Sequence, residues 1–316
     1  MKTQIKDFVS DRYHDSKDQQ NFSRRTVLKL GLSYAFLSAL GLSACKRELA
    51  QDADSGQLLV VGSSAMQPLV EVSAEEYAQI KPGVFVTVQG GGSGQGLTQV
   101  YQGAVHIGNS DVFAEEKKID PSNLIDHKIC VSGVALICHK DINLDSLSMQ
   151  NLADIFTGKI RNWKDLGAQD LPIVLINRAS GSGTRSVFEA QVLKGQEAMA
   201  SQEQDNNGTV VRMIAETPGS ISYLGFAYLN DKVKTLAIDS VSPETKNVCD
   251  NSWPLWSYSH MYTSKNADET TKAFMDFMMG DIVQKEIIPQ LGYISILDMK
   301  VEKDAQGTIK QLGDEA

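Results

Sequence analysis

Seven residues, Arg178-Ala-Ser-Gly-Ser-Gly-Thr184, combine one arginine, three hydroxyl side chains and two glycines between an apolar run and a segment typical of a helix. Arginine carries a fixed charge on a planar fork that suits an oxyanion. Ser182, Gly183 and Thr184 stand where the free N–H groups of a helix start would converge. Such a turn can bind an anion, cradle a nucleotide or simply cap the helix.

Three further turns place small polar residues where an apolar run ends. Ser64 and Ala65 follow the first run, Ser93 lies in a glycine-rich turn, and Asp111 closes the run that precedes it. Helix capping, a flexible surface loop and a solvated edge are the simpler explanations of these three turns. Ligands of open α/β sheets, however, bind beyond the carboxyl ends of the strands. The four turns together therefore predict a small-oxyanion site.

Asp111 is the residue of this set that distinguishes among anions. A carboxylate only accepts hydrogen bonds, so it would accept the O–H of a protonated phosphate and repel fully deprotonated sulfate. The sequence thus favours phosphate over sulfate or molybdate, whose receptors are the alternative within binding proteins.

Enzyme motifs fit the sequence less well. A P-loop requires GxxxxGK[ST], which does not occur, and a nucleophile elbow requires GxSxG, which neither Ser93 nor Ser182 satisfies. His106 reads as a strand residue, and the other four histidines are distant from the turns in sequence. We expect no enzymatic activity, no cofactor and no metal; a hydrolase with a serine nucleophile is the rival class.

The elements that must position these turns alternate between strand and helix from about residue 57, which is typical of an α/β protein. Residues 266–291 are predicted to form the final helix, and the following GYISIL the last strand. A chain of 316 residues exceeds the size at which one core usually divides, so two lobes are expected.

Cys130 and Cys138 share one extended run and would lie about 26 Å apart, too far for a disulfide. Cys249 either bridges to one of them or all three remain buried thiols.

Residues 1–45 read as an export signal. Arg24 and Arg25 precede an apolar run as in a twin-arginine signal, and Leu42-Ser-Ala-Cys45 resembles a lipobox whose cysteine receives a lipid. The run of roughly 13 residues is shorter than the ~20 that span a bilayer. The sequence leaves open whether export uses the twin-arginine or the Sec route. We expect an extracytoplasmic lipoprotein, at the periplasmic or outer face of the cell membrane, with residues 46–56 as a tether and 301–316 as a polar, mobile tail.

The chain beyond residue 45 is acidic, with 23 basic and 35 acidic residues and a formal net charge of −12. This charge argues against a nucleic-acid partner. It also means that an anion must be attracted locally, by backbone dipoles and the one arginine, rather than by the overall field.

Six motifs resemble those of the phosphate-binding proteins of bacterial phosphate ABC transporters and occur in the same order. They are VGSSAMQPLVE, VQGGGSGQGL, GAVHIGNSD, IFTGKIRNW, NRASGSGTRSVFE and LGYISI. The resemblance runs from about Leu58 to Leu297. It implies a type II periplasmic-binding-protein fold, in which two α/β lobes joined by two crossing strands close over inorganic phosphate. Lobe one would comprise residues 57–134 and 250–300, and lobe two residues 135–249.

The resemblance also assigns ligand residues and partners. Phosphate would contact Ser64, the amide of Ala65, Ser93, Asp111, Arg178, Ser182, Gly183 and Thr184. The protein would act as a monomer and pass phosphate to the permease subunits of an ABC transporter. The sequence leaves open a third role, a phosphate sensor or adhesin that keeps the site without a transporter.

The lipobox interpretation makes a direct prediction. Metabolic labelling with a radioactive fatty acid should label the wild-type protein and leave Cys45→Ala unlabelled, since the cysteine is the acceptor. Equal labelling of the two proteins would contradict a lipid on Cys45.

Overall fold

The computed structural model of this chain describes residues 56–312. The export signal, the lipobox with Cys45, the tether up to residue 55 and the last four residues of the tail lie outside these described residues. No helix between residues 56 and 312 is long and apolar enough to cross a membrane.

The described chain forms one mixed sheet whose hydrogen-bonded order is β2-β1-β3-β10-β4-β8-β6-β7, with β9 paired to β4 and β5. The strands are β1 Gly56–Gly62, β2 Val84–Gly90, β3 Ile107–Ser110, β4 Leu124–Cys138, β5 Ser146–Leu147, β6 Val174–Arg178, β7 Gln202–Gln204, β8 Ser220–Gly225, β9 Lys234–Ile238 and β10 Trp256–Ser264. A separate antiparallel pair consists of β11 Val301–Lys303 and β12 Ile309–Gln311.

Helices pack between and against these strands. They are α1 Gln67–Ile80, α2 Ser93–Tyr101, α3 Met149–Phe156, α4 Gly183–Phe188, α5 Asn207–Glu216, α6 Thr245–Cys249, α7 Glu269–Met278 and the single turn α8 Ile288–Gln290. Two π-helical turns, Glu189–Leu193 and Ile282–Ile287, extend α4 and precede α8.

Strand β4 belongs to both halves of the sheet. Its residues Leu124–Gly133 pair with β10, and Val134–Cys138 pair with β8. We call β1, β2, β3, β10 and the first part of β4 the first half-sheet, and the remaining strands the second half-sheet. Cys130 and Cys138 are both buried free thiols in β4, as is Cys249 in α6, so none of the three forms a disulfide.

The four polar turns follow the carboxyl ends of parallel strands, as the sequence predicts. β1 pairs in parallel with both β2 and β3, and these three strands end at Gly62, Gly90 and Ser110. β6 is parallel to β7 and β8 and ends at Arg178 itself. Each half-sheet therefore contributes strand ends to the region where the predicted site residues begin.

An aromatic cluster supports the turn after β6. The ring of Phe188 in α4 stacks on Tyr223 of β8, with 4.0 Å between ring centroids, and lies 4.4 Å from Phe156 of α3. All three side chains are fully buried. Packing of this kind fixes the start of α4 relative to β6, because both ends of the turn are attached to the same core.

The C-terminal region differs from the sequence-based expectations. The final helix predicted across residues 266–291 is divided into α7, a π-helical turn and α8, with the break at Gly280. LGYISI is not a strand, since Ile294 forms only an isolated bridge with Val131 and a 3-10 turn follows at Ile296–Asp298. The tail expected to be mobile after Lys300 forms the β11–β12 hairpin, because Val301 is buried and the Lys303 ammonium donates to the Trp256 carbonyl at 2.7 Å.

Two glycines of the motif GGGSGQG offer a matched pair for testing the packing of α2. A Cβ on Gly96 would lie 2.6 Å from the carbonyl oxygens of Val61 and Asn109, whereas a Cβ on Gly94 would meet nothing closer than 3.7 Å. Gly96→Ala should lower the free energy of unfolding by roughly 3 kcal/mol, because backbone atoms cannot move aside. Gly94→Ala should raise it by about 0.5 kcal/mol through helix propensity. Urea titration measures both, and equal stability of the two variants would contradict this close contact.

Candidate functional site

The structure brings the eight predicted ligand residues into one buried cluster between the half-sheets. Seven of them are at most 3% exposed, and Gly183 is buried as well. Ser64, Ala65, Ser93 and Asp111 come from the turns of the first half-sheet, and Arg178, Ser182, Gly183 and Thr184 from the turn after β6. The two groups touch: the Arg178 Nη2 lies 3.1 Å from the Ser64 Oγ, and the Thr184 Oγ1 lies 3.5 Å from the Asp111 Oδ2.

Arg178 is a buried cation held by neutral acceptors. Its Nε donates to the Gln204 carbonyl at 3.2 Å and its Nη1 to the Asn207 Oδ1 at 2.9 Å. Its Nη2 donates to the Asp205 carbonyl and to the Ser64 Oγ, at 3.0 and 3.1 Å. None of the ion pairs formed among residues 56–312 includes this guanidinium. Burial lowers its pKa from the ordinary value, although arginine stays protonated. A buried charge with no carboxylate in direct contact favours an anion nearby.

Three serine hydroxyls of the cluster accept hydrogen bonds from N–H groups. The Ser93 Oγ accepts from the Asp111 amide at 2.9 Å, the Ser182 Oγ from the Arg185 amide at 3.3 Å, and the Ser64 Oγ from Arg178. A hydroxyl has one hydrogen to donate, and its orientation adapts to the partners of its oxygen. With their oxygens used as acceptors, these side chains present O–H groups as donors, which is what an anion requires.

Asp111 lies among these donors and is itself buried. Its Oδ1 accepts the Ser63 hydroxyl at 2.7 Å, while its Oδ2 faces Thr184. Burial raises the pKa of Asp111 above its ordinary value, and the Ser63 hydrogen bond and the charge of Arg178 offset this rise only in part. The Oδ2 is the oxygen with capacity to accept a proton-bearing ligand.

The turns of the two half-sheets also contact each other directly. The Gly94 amide donates to the Gly181 carbonyl at 3.1 Å, and the Lys117 ammonium donates to the Ser186 Oγ at 2.8 Å. A Cβ on Gly183 would lie 2.2 Å from the Ser93 Oγ and 2.8 Å from the Asp111 Cβ. Only glycine allows the turn after β6 to come this close to Ser93 and Asp111.

Two of the predicted ligand residues also have hydrogen-bond partners within the protein. The Ala65 amide, predicted to face the ligand, donates to the Ser63 Oγ at 3.1 Å. The Ser182 side chain is the N-cap of α4. Since α4 has only six helical residues before the π-helical turn, the hydroxyls and Arg178 supply more of the anion attraction than a helix dipole does.

Sequence reasoning missed three residues that hold the cluster together. Ser63 bridges Asp111 and Ala65, Asn207 contacts Arg178 and Ser64, and the Tyr228 hydroxyl donates to the Ser64 carbonyl at 2.6 Å. The Asn-Asn-Gly-Thr run at 206–209 is a helix-start signal that could have drawn attention to Asn207. Nothing in the local sequence marks Tyr228.

The donor set suits an oxyanion rather than a metal. No group of three or more His, Cys, Asp or Glu side chains that could hold a metal ion occurs in the described part of the chain. One guanidinium, several O–H donors and one carboxylate acceptor describe a buried site for a small tetrahedral anion that carries a proton.

Comparison with known proteins agrees with this chemistry. The PBP superfamily domain matches residues 49–281. The phosphate-binding protein PstS of Bacillus subtilis is 48% identical over 255 residues, which cover 80% of this chain and 85% of the relative. PstS of Pseudomonas aeruginosa strain PAO1 is 26% identical, over 82% of this chain and 88% of its own.

Solved structures show the same fold. A Clostridium perfringens protein whose crystal structure contains bound phosphate aligns with a TM-score of 0.72 and 29% identity, over 76% of this chain and all of the other. An ABC-type phosphate transport receptor from Vibrio cholerae aligns with a TM-score of 0.62 and 25% identity, over the same shares. The type II fold predicted from the sequence is thereby confirmed.

The raised pKa of Asp111 predicts a pH dependence of stability. The folded state binds this proton more tightly than the unfolded state, so the contribution of Asp111 to wild-type stability falls as the pH rises from about 4. The difference in unfolding free energy, Asp111→Asn minus wild type, should therefore increase over this range and then level off. Urea titrations in phosphate-free buffers from pH 4 to 8 measure it. A difference that stayed constant or decreased would mean that the Asp111 pKa is not raised.

Proposed function

The chain belongs to the phosphate-binding proteins of the PBP superfamily, and from that premise we propose that it captures inorganic phosphate outside the cytoplasm and delivers it to the permease of an ABC transporter. The observation that carries this function is the buried guanidinium of Arg178, which has four neutral acceptors and no carboxylate partner. A phosphate oxygen would supply the missing negative charge and leave the fold intact.

The remaining groups of the cluster suit the other atoms of phosphate. The hydroxyls of Ser64, Ser93 and Ser182 donate to phosphate oxygens, and the Asp111 Oδ2 accepts the O–H of the protonated form. Sulfate has no proton at neutral pH, so it would place an oxygen lone pair against a buried carboxylate. The site therefore selects by hydrogen-bond direction rather than by size.

Two lobes that close on the ligand explain why the site is divided between the half-sheets. The proposed lobes are residues 57–134 with 250–300, and residues 135–249. The division between Gly133 and Val134 in the pairing of β4 supports the first boundary. The hydrogen bond from Arg178 to Ser64 joins residues of different lobes, so it exists only when the lobes are closed. Phosphate would favour this state because it contacts both groups of residues at once.

Anchoring and partners complete the proposal. A lipid on Cys45 would hold a monomer at the extracytoplasmic face of a membrane, with residues 46–56 as the tether between the lipid and the fold. The lipobox at Leu42–Cys45 supports the anchor, and the paired Arg24 and Arg25 support export through the twin-arginine route.

Calorimetry at neutral pH tests the function and its selectivity. Phosphate should bind more tightly than sulfate by at least about a thousandfold, since a buried acceptor left against a lone pair is strongly unfavourable. Arg178→Ala should weaken phosphate binding by about 2–5 kcal/mol, because a desolvated charged hydrogen bond is lost. The exposed Arg161, whose Nε donates to the Gly158 carbonyl, provides a control: Arg161→Ala should bind as the wild type does.

Three results would contradict this proposal. Equal affinity for phosphate and sulfate would remove Asp111 as the selective group. Unchanged binding by Arg178→Ala would remove the guanidinium from the site. Turnover of a chromogenic phosphoester, abolished by Ser93→Ala or Ser182→Ala, would favour a hydrolase instead.

A further inference from the structure

Asn207 is a fully buried side chain at the start of α5 that contacts both groups of the phosphate site. Its Oδ1 accepts from the Arg178 Nη1 at 2.9 Å and from the Gly225 amide at 3.2 Å. Its Nδ2 donates to the Ser64 Oγ at 3.2 Å. The Asn207 carboxamide thus links Arg178, the end of β8 at Gly225 and the Ser64 hydroxyl.

The chemistry of its partners fixes the orientation of this amide. A guanidinium and a backbone N–H can only donate hydrogen bonds, so the oxygen of Asn207 must face them. The NH₂ group must then face Ser64. The orientation of the Asn207 amide therefore follows from its partners.

The consequence falls on the Ser64 hydroxyl. Its oxygen has two acceptor positions, and Arg178 and Asn207 occupy both, at 3.1 and 3.2 Å. The hydroxyl cannot accept a further hydrogen bond, and its hydrogen must point to an acceptor. Among the described residues, this hydrogen is donated to the Asp205 carbonyl at 3.5 Å, the limit of a hydrogen bond. A phosphate oxygen would be the better partner.

We propose that Asn207 is a positioning residue of the phosphate site: its oxygen accepts from Arg178, its NH₂ group therefore faces Ser64, and it thereby commits the Ser64 hydroxyl to donating toward the anion. This inference rests on the phosphate-binding function proposed above. It assigns Asn207 a role in ligand affinity that acts through Ser64 and does not require contact with the ligand. Ser64 follows β1 of the first half-sheet, and Asn207 follows β7 of the second. Asn207 can therefore orient the Ser64 hydroxyl only when the two half-sheets are in contact at the site.

A double-mutant cycle on phosphate affinity tests this role. Calorimetry is run on wild type, Asn207→Ala, Ser64→Ala and the double variant. Asn207→Ala should raise the phosphate Kd at least about tenfold in the presence of Ser64, since it releases the hydroxyl and leaves buried donors unpaired. In the Ser64→Ala background the same change should cost distinctly less, with a ratio between the two effects of at least about threefold.

Asn206 provides the matched control. Its side chain caps α5 by accepting from the Thr209 amide at 2.8 Å, and it is adjacent to Asn207 in sequence. Asn206→Ala should lower the unfolding midpoint through loss of the cap and leave the phosphate Kd within about threefold of the wild type. If Asn207→Ala does not fold, Asn207→Ser replaces it in the cycle, because serine keeps a polar group at this buried position, adds no charge beside Arg178 and is too short to donate to Ser64.

The outcomes separate this inference from the proposed function. A wild-type protein that bound no phosphate would overturn the function. Wild-type binding combined with additive effects of the Asn207 and Ser64 variants would overturn only the positioning role, as would equal losses of affinity in Asn206→Ala and Asn207→Ala. A coupled loss confined to Asn207 supports the inference.

Discussion

The structure depends on one buried positive charge that no carboxylate of the described residues contacts directly. The Arg178 guanidinium is 1% exposed, and its four hydrogen bonds end on two carbonyl oxygens, an amide oxygen and a hydroxyl. Neutral acceptors orient the group without cancelling its charge, so its positive potential remains available to an anion. A carboxylate in contact with Arg178 would stabilise the empty protein and compete with the ligand. An acidic chain can bind an anion on these terms because burial shields the local field from the surface charges.

Asp111 is the carboxylate that lies in the same cluster as this guanidinium. A single carboxylate and a single guanidinium largely balance in one cluster, so the charge of the anion must be met by hydroxyl and amide dipoles. The serines are arranged for this purpose, since their oxygens accept from N–H groups and their hydrogens remain to be donated. Dipoles inside a buried site are little screened by salt, whereas exposed lysines would be. Affinity and selectivity therefore depend on which atoms carry hydrogens, and small rotations of a few side chains matter more than net charge.

The sequence predicts the ligand turns well and the framework less well, for physical reasons. Glycines and hydroxyls concentrated at strand ends are a local signal, and Ser64, Ser93, Asp111 and Arg178 follow directly from it. Strand β10 carries no such signal, because serines, a histidine and a threonine are buried along its length and obscure the apolar pattern of a central strand. The break at Gly280 and the β11–β12 hairpin depend on packing with distant residues, which periodicity does not record. The proposed lobe boundary lies where the pairing of β4 changes from β10 to β8. The sequence does not mark this point, because the apolar run of β4 continues across it.

Asn207 and Ser63 show why the second layer of the site escapes prediction. The residues proposed to contact the ligand belong to motifs, since the backbone around them would approach the anion closely and glycine allows that approach. The residues that orient them need only reach the right atom from some element of the fold. Ser63 reaches Asp111 across 48 positions of sequence, and Asn207 reaches Ser64 across 143. Such contacts do not follow any fixed spacing in the sequence. They become visible when donors and acceptors are counted atom by atom, because a hydroxyl with both lone pairs occupied has only one direction left in which to act.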